Sequence, residues 1–536
     1  MHALVRAEFP HLGDCAYLDA ACIGIPAQRT VDAVTDFVRR AQSLLHPTGT
    51  AKHGWFNAAR LAARPLVATF IGAETDDIAL VESTTHGLAL AAQTLQLGQG
   101  DKVAMCDLEF LQMGVVWSLL RRKGVQVVPI HTNNGYLSAD MVRAHLHDGV
   151  KVLALSSVQW ANGFRADVDA IAALCRERGV WLVIDAAQHL GALEFDVRQT
   201  PVDMLCCGGH KWLNSPFGQG FLYVSPRVRE HFDAPMPGFF ATQSPNSTWG
   251  ESFLIKSTSP FQDFHFFDTA AKWEIGGTAN WSGGIALGAA LSLIQEIGPP
   301  RIEQAIHALT DRLIEGLDRL DIPVVSHRAP QRRSGIVTFT LGSPVADGLM
   351  MEHLATCGVS VSARYTSGVG GVRVSCHYFN TDDDVDRLLE AAGTWVHSKA
   401  KEIPVGTRAH VSALPLLDDL EPEDVAAVVK AFGEHLARDG DVLVTNGSPA
   451  PGLAIIVSGE ASALKDGREV GRLVRGDIFG EISALLNQPT TAAVVASGDV
   501  RYLLLPAPIV EQFLTDHPKF CYRLLQAEAR RLRDRP

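Results

Sequence analysis

Short continuous apolar runs alternate with longer periodic stretches through the first part of the chain. IALV, VAMC, VLAL, VWLVI and MLCC, starting at Ile78, Val103, Val152, Val180 and Met204, contain no polar residue. Runs of this length read as strands buried on both faces, as in a parallel sheet covered by helices. The intervals between them are long enough for helices, so this segment reads as α/β with a mostly parallel sheet. From Pro300 the rhythm changes to α+β. A helix, RIEQAIHALTDRLIEGLDRL, leads to the strand SGIVTFTLG, a second helix and the strands VSVSARY and GGVRVSCHY. The last helix, DDVDRLLEAAGTWV, starts at a capping box spanning Thr381 to Asp384. HSKAKEIPVGTRAH, with Pro404 and Gly406, reads as a linker centred on 398–408. Beyond it DVLVTNG, LAIIVSGEASAL, REVGRLV and RYLLLP are strand-like, Asp466-Gly467 signals a hairpin, and an amphipathic helix closes the pattern. The reading is one domain at 1–400, with a large part at about 15–290 and a small part at about 291–397, then a second domain at 409–536.

In an open parallel sheet, ligands collect beyond the carboxyl ends of the strands. Asp185 ends VWLVID, and MLCC delivers Gly208, Gly209, His210 and Lys211. A carboxylate and an amine meeting at that rim suit pyridoxal phosphate. The lysine forms a Schiff base with its aldehyde, and the acid pairs with the protonated ring nitrogen. After IALVE, the cluster Ser83-Thr84-Thr85 opens a helix. Hydroxyls and free N–H groups there make an anion site, and an ordinary N-cap uses the same residues.

Composition narrows the classes. The chain has 536 residues, 47% apolar and 20% charged, which fits a soluble globular protein of about two to four domains. A formal charge of -12 argues against a nucleic-acid or anionic-membrane surface. No run approaches the roughly 18 apolar residues of a membrane span, and MHALVRAEFPHLGD lacks a signal peptide's apolar core. Nine cysteines without a C-x-x-C pair fit reduced thiols in the cytoplasm and no metal site. Cys206 and Cys207 read as small apolar fillers.

The order Asp185-x-x-Gln188, then Gly209-His210-Lys211, with 26 positions from Asp185 to Lys211, resembles the class V aminotransferases. These fold-type I pyridoxal phosphate enzymes include cysteine desulfurases, selenocysteine lyases, kynureninases and isopenicillin N epimerases. The resemblance implies a large domain with a mostly parallel sheet, an α+β small domain and pyridoxal 5'-phosphate on Lys211. It places Asp185 on the ring nitrogen, the phosphate on Thr84 and Thr85, and Phe110 stacked on the ring. It puts Gln188 at the phenolic oxygen and His210 at the phosphate or ring. Thr278 would reach the cofactor of the neighbouring subunit, which implies a homodimer. Arg373, in RVSCHYFNTDDDVDRLL, would clamp a substrate carboxylate, with Arg364 as a second candidate. YLDAACIGIP, from Tyr17 to Pro26, resembles a stretch that lies near the active site. Two departures stand out. Trp160 aligns with an asparagine that relatives keep near the phenolic oxygen. The loop RYTSGVGG lacks the nucleophilic cysteine that desulfurases carry there, while Cys357 and Cys376 lie elsewhere.

IIVSGEASAL and RGDIFGEISALL resemble the cyclic-nucleotide-binding β-roll, most specifically at Gly476, Asp477, Phe479, Gly480 and Glu481. In that family the glutamate holds the ribose hydroxyl, and an arginine about ten residues later neutralises the phosphate. Here Thr490 or Thr491 takes the arginine's place. A small ligand in a pocket of Gly480, Glu481, Thr490 and Thr491 would therefore lack that cation. The expected activity is removal of the Cα proton of an amino acid held as an external aldimine, foremost for carbon–sulfur elimination. Epimerisation and transamination share that step. A regulatory protein that binds pyridoxal phosphate and senses through its β-roll is the reading from a different class.

Overall fold

The apolar runs pair into a seven-stranded sheet. Its strands are β1 (Ile78–Val81), β2 (Lys102–Cys106), β3 (Gln126–Ile130), β4 (Val150–Ser156), β5 (Trp181–Asp185), β6 (Met204–Gly208) and β7 (Gly220–Val224). The order is β1-β7-β6-β5-β4-β2-β3. Only β7, which the apolar pattern does not single out, runs antiparallel to its neighbours. The edge strand β3 carries Pro129, where a missing N–H costs no ladder bond. Period-two alternation sends Leu153, Leu155, Leu182, Ile184 and Cys207 to one buried face. It sends Val152, Ala154, Val183 and Cys206 to the other. Both cysteines are the buried fillers the sequence predicts.

The computed structural model describes residues 2–12, 15–43, 48–243, 254–274, 277–342, 344–402, 414–417, 420, 427–428 and 431–533. The chain divides into two units, residues 1–339 with 353–391 and residues 340–352 with 392–536. In the first, helix Pro299–Arg319 precedes β8 (Ile336–Phe339), and β9 (Ser362–Thr366) and β10 (Val369–Ser375) form a hairpin beside it, in the order β9-β10-β8. The hairpin turns on Ser367 and Gly368 alone, at φ 46° and 75°, as a tight two-residue connection requires. Ala16–Tyr17 pairs in parallel with Val359–Ser360, and a bridge joins Asp19 to Ser375. These contacts bring the start of the chain to the arginine-bearing strand.

Helix Asp382–Glu402 starts as expected, with the Asp384 carboxylate accepting from the Thr381 N–H at 2.9 Å. It continues through 398–402, the first residues of the segment read as linker, because Lys, Ala and Glu are strong helix formers. Pro404 and Gly406 lie outside the described residues.

The second unit holds an antiparallel sheet of β11 (Gly433–Ala437), β12 (Val442–Val444), β13 (Gly452–Lys465), β14 (Arg468–Leu473), β15 (Ile478–Phe479) and β16 (Ala493–Pro506). The path is β11-β16-β13-β14, with β12 on β16 and β15 on β13. Asp466 and Gly467 make the expected turn at φ 52° and 75°. β11, GEHLA, escapes sequence reading because its residues have little β preference. Pairing along β16 holds it.

Candidate active site

The carboxyl ends of β1, β2, β4, β5 and β6 share one rim of the sheet. A cavity of about 350 Å³ opens there, lined by Thr84, Phe110, Asp185, Lys211, Arg364 and Arg373 among others. Thr85, Gln188 and His210 line it too, so the structure assembles all the residues expected at one chain's cofactor and substrate positions. Thr278 is exposed and is absent from this lining.

Burial lowers the pKa of Lys211, and the neighbouring Asp185 charge opposes that shift. Burial raises the pKa of Asp185, while the Ala187 N–H, donating at 2.8 Å, and Lys211 favour its charged form. Lys211 Nζ lies 5.8 Å from the centre of the Phe110 ring. His210 is pushed down to about 4 by burial and by Lys211, so it is neutral near pH 7. Its ring stacks on Phe217 at 5.7 Å.

The helix start after β1 uses one of its hydroxyls as a cap and leaves another unused. Ser83 is the N-cap and accepts from the His86 N–H at 3.1 Å. Thr84 Oγ1 is buried and has no hydrogen-bond partner among the described residues. A spare hydroxyl beside the open N–H groups of a helix start suits a phosphate. The donor set, the Asp185–Lys211 pair and the ring of Phe110 together fit pyridoxal phosphate. Gln188 is partly committed: its Nε2 donates to the Ala21 carbonyl at 3.0 Å, and its Oε1 accepts from Trp212 Nε1 at 2.8 Å. These bonds leave one N–H of the Gln188 amide uncommitted.

Arg373 is 2% exposed. Its Nη1 donates to the Trp160 carbonyl at 3.0 Å and its Nη2 to Asp19 at 3.3 Å. Asp19 also accepts from the Ser362 hydroxyl. Arg364 faces the same cavity from β9 and reaches Cys22 Sγ at 3.7 Å. The opening stretch is thus part of the site. Its Gly24 N–H donates to the His210 carbonyl at 2.7 Å, and a Cβ on Gly24 would stand 1.9 Å from the Lys211 carbonyl oxygen.

Sequence reasoning misses two residues here. Cys22 lines the cavity; the stretch that carries it is expected near the site, but the sequence gives this thiol no role of its own. Glu109 is buried beneath the rim, where it accepts from the Ser156 N–H and hydroxyl and from Gln159 Nε2. Burial raises its pKa to about 7, partly opposed by those hydrogen bonds and reinforced by Asp185. Its place beside Phe110, at a strand end, is the signal that could have found it.

In the second unit Gly480, at φ 78°, precedes helix Glu481–Leu486, and its Cβ would stand 2.3 Å from the Gly452 carbonyl oxygen. Glu481 is buried. Thr490 is also buried, and its hydroxyl donates to the carbonyls of Thr445, at 2.5 Å, and Ser448. Thr491 is exposed. Thr490 therefore pins the 445–448 stretch, and its only hydroxyl proton is already used. Arg472 pairs with Glu460.

Residues 16–388 match the family profile of class V aminotransferases, and residues 434–517 match that of the cyclic nucleotide-binding domain. A probable cysteine desulfurase of Pyrococcus abyssi is 28% identical over 404 residues, covering 72% of this chain and 95% of that protein. The apo cysteine desulfurase of Thermococcus onnurineus NA1 superposes with a TM-score of 0.65 at 24% identity, over 74% of this chain and 98% of its own. A complex of the cystine C–S lyase C-DES with its product cysteine persulfide gives 0.64 at 22%, over 72% and 99%. At these identities the two structures establish the shared fold. With the strand-end lysine, its buried aspartate and a profile match across most of its length, the chain belongs to the class V aminotransferases and is a pyridoxal-phosphate-dependent enzyme carrying a cyclic-nucleotide-binding-type domain.

Proposed function

We propose that this enzyme cleaves a carbon–sulfur bond in a cysteine-derived amino acid. The observation that carries the reading is the β9–β10 hairpin, whose Arg364 and Arg373 line the cavity that holds Lys211. Two guanidiniums suit the α-carboxylate, and the curated relatives are cysteine desulfurases. Pyridoxal phosphate, when bound, withdraws electrons from Cα. Lys211, kept neutral more readily by burial, takes and returns the Cα proton. Asp185 would hold the negative charge that favours a protonated ring nitrogen, Thr84 and Thr85 would hold the phosphate, and Phe110 would stack on the ring. His210, neutral, lines the site without adding charge.

The tight hairpin supports sulfur release without a persulfide on a mobile loop. Its Ser367 hydroxyl donates to the Asp107 carbonyl at 2.8 Å, which ties the turn to the end of β2. Cys357 is exposed, Cys376 is buried, and neither lines the cavity. Given cysteine or cystine, the full-length enzyme should form sulfide or another small sulfur product. Cys357→Ser and Cys376→Ser should each retain most activity. A folded variant losing more than about a hundredfold, roughly 2.7 kcal/mol of barrier, would overturn this. Cys22 favours a second reading, sulfur transfer to a cavity thiol. Mass spectrometry of Cys22 after turnover, with Cys22→Ser as control, separates the two routes. Epimerised or transaminated product in place of cleavage would refute the proposal itself.

A homodimer in the cytoplasm completes the proposal. It is supported by the exposed position of Thr278, by Phe217, 66% exposed beside His210, and by nine free thiols. Light scattering showing a single-chain mass would refute the dimer.

We further infer that the C-terminal domain does not bind cyclic AMP or cyclic GMP tightly. The phosphate would meet Thr490, whose hydroxyl is engaged by main-chain carbonyls, in place of a cation. Loss of a buried charge partner typically costs about 3–5 kcal/mol, more than a hundredfold in affinity. Calorimetric titration of the full-length protein should show no micromolar binding of either nucleotide, and micromolar binding would disprove the inference.

A further inference from the structure

Trp160 replaces the asparagine expected from the family resemblance, and the structure gives the replacement a role. Its ring meets Phe110 edge-on, with centroids 5.3 Å apart at 79°. Its main-chain carbonyl holds Arg373 Nη1 at 3.0 Å. Trp160 therefore lines the cavity with its side chain against the ring facing Lys211 and its carbonyl on the buried guanidinium. Its indole Nε1 is buried and has no hydrogen-bond partner among the described residues. Arg373 Nε and Thr84 Oγ1, in the same cavity wall, are buried and likewise without a partner among the described residues. Buried polar atoms are paired in most structures, and an indole can only donate. Unmatched donors grouped around one cavity call for a ligand rich in anionic oxygen.

We propose that the Trp160 indole N–H donates to an anionic oxygen of the bound ligand, in place of the relatives' amide. The oxygen has two sources, the phenolate of the cofactor ring or the α-carboxylate of the amino acid at Arg373. The inference rests on the pyridoxal phosphate reading of the cavity. It assigns a binding contact to a side chain that the family pattern leaves without one.

Trp160→Phe removes the N–H and retains an aromatic ring, together with the main-chain carbonyl that holds Arg373. The full-length protein, loaded with pyridoxal phosphate, is titrated with pH by absorbance, first alone and then with L-alanine as a ligand without a β leaving group. A bond to the phenolate stabilises its charge. Its loss should raise the absorbance midpoint of the unliganded protein by about one pH unit, a tenfold effect. A bond to the carboxylate leaves that midpoint in place and should weaken L-alanine binding about tenfold to a hundredfold. Trp160→Asn restores an amide donor and should lie closer to wild type than Trp160→Phe in the affected quantity. The reverse order, or both quantities unchanged in a loaded variant, overturns the assignment. Borohydride reduction and peptide mapping of the wild-type protein keep the underlying reading separate. Absence of a pyridoxyl label on Lys211 would overturn the cofactor site and this contact with it. A labelled Lys211 with unchanged titrations would overturn the Trp160 contact alone.

Discussion

Lys211→Ala should abolish borohydride-fixed pyridoxyl labelling and lower turnover by at least about a thousandfold. The size follows from two roles in one amine, covalent attachment of the cofactor and movement of the Cα proton. The structure supplies the conditions for both. Burial favours the neutral amine, Asp185 lies near enough to oppose that shift, and the Phe110 ring centre lies 5.8 Å from the amine. Alanine at this position leaves the His210 carbonyl free to accept from Gly24, so the local fold should persist. Circular dichroism checks that the variant is folded, and peptide mapping locates the label. A pyridoxyl group on another lysine of the wild-type protein would sink the assignment.

Glu109→Gln should change how stability depends on pH. The folded carboxyl titrates at about 7 against an ordinary 4.5, with burial as the leading cause. Above pH 4.5 the unfolded chain releases this proton while the folded chain keeps it. Stability therefore falls as pH rises through that window, and the loss is complete above about 7. Between pH 5 and pH 8 the difference is on the order of 2–3 kcal/mol for this group. Glutamine removes the titration. The stability difference between variant and wild type should then move toward the variant by about that amount over the same range. Denaturant unfolding at the two pH values measures it, and a difference that stays flat would show that Glu109 ionises in the fold like an exposed acid. Any constant offset reports altered bonds to Ser156 and Gln159 and leaves the slope intact.

Much of the cofactor site was legible in the order of residues because it is local to strand ends. An unbroken apolar run names a strand, a parallel sheet puts every carboxyl end on one rim, and Asp185 and Lys211 sit just there. The family resemblance, and not strand-end logic alone, pointed to Thr84, Thr85 and Phe110. The tight turn at Asp466-Gly467 was equally plain, since its residue types and its positive φ angles have one local cause. Helix Asp382–Glu402 outran its predicted end because good helix formers continue past the apolar stripe. What stayed hidden depends on segments far apart in the chain. Asp19 meets Arg373 across 354 positions, and Cys22 enters the cavity only because the opening stretch docks on Lys211. Glu109 gains its pKa from burial under Ser156 and Gln159, which no spacing announces. Thr490 read as a substitute in a ligand pocket, yet its hydroxyl is turned to the carbonyls of Thr445 and Ser448. Sequence alone determined which strands end in chemistry. Tertiary packing decided which polar atoms remain unmatched there, because burial and distance between remote segments set the cost of each unpaired donor.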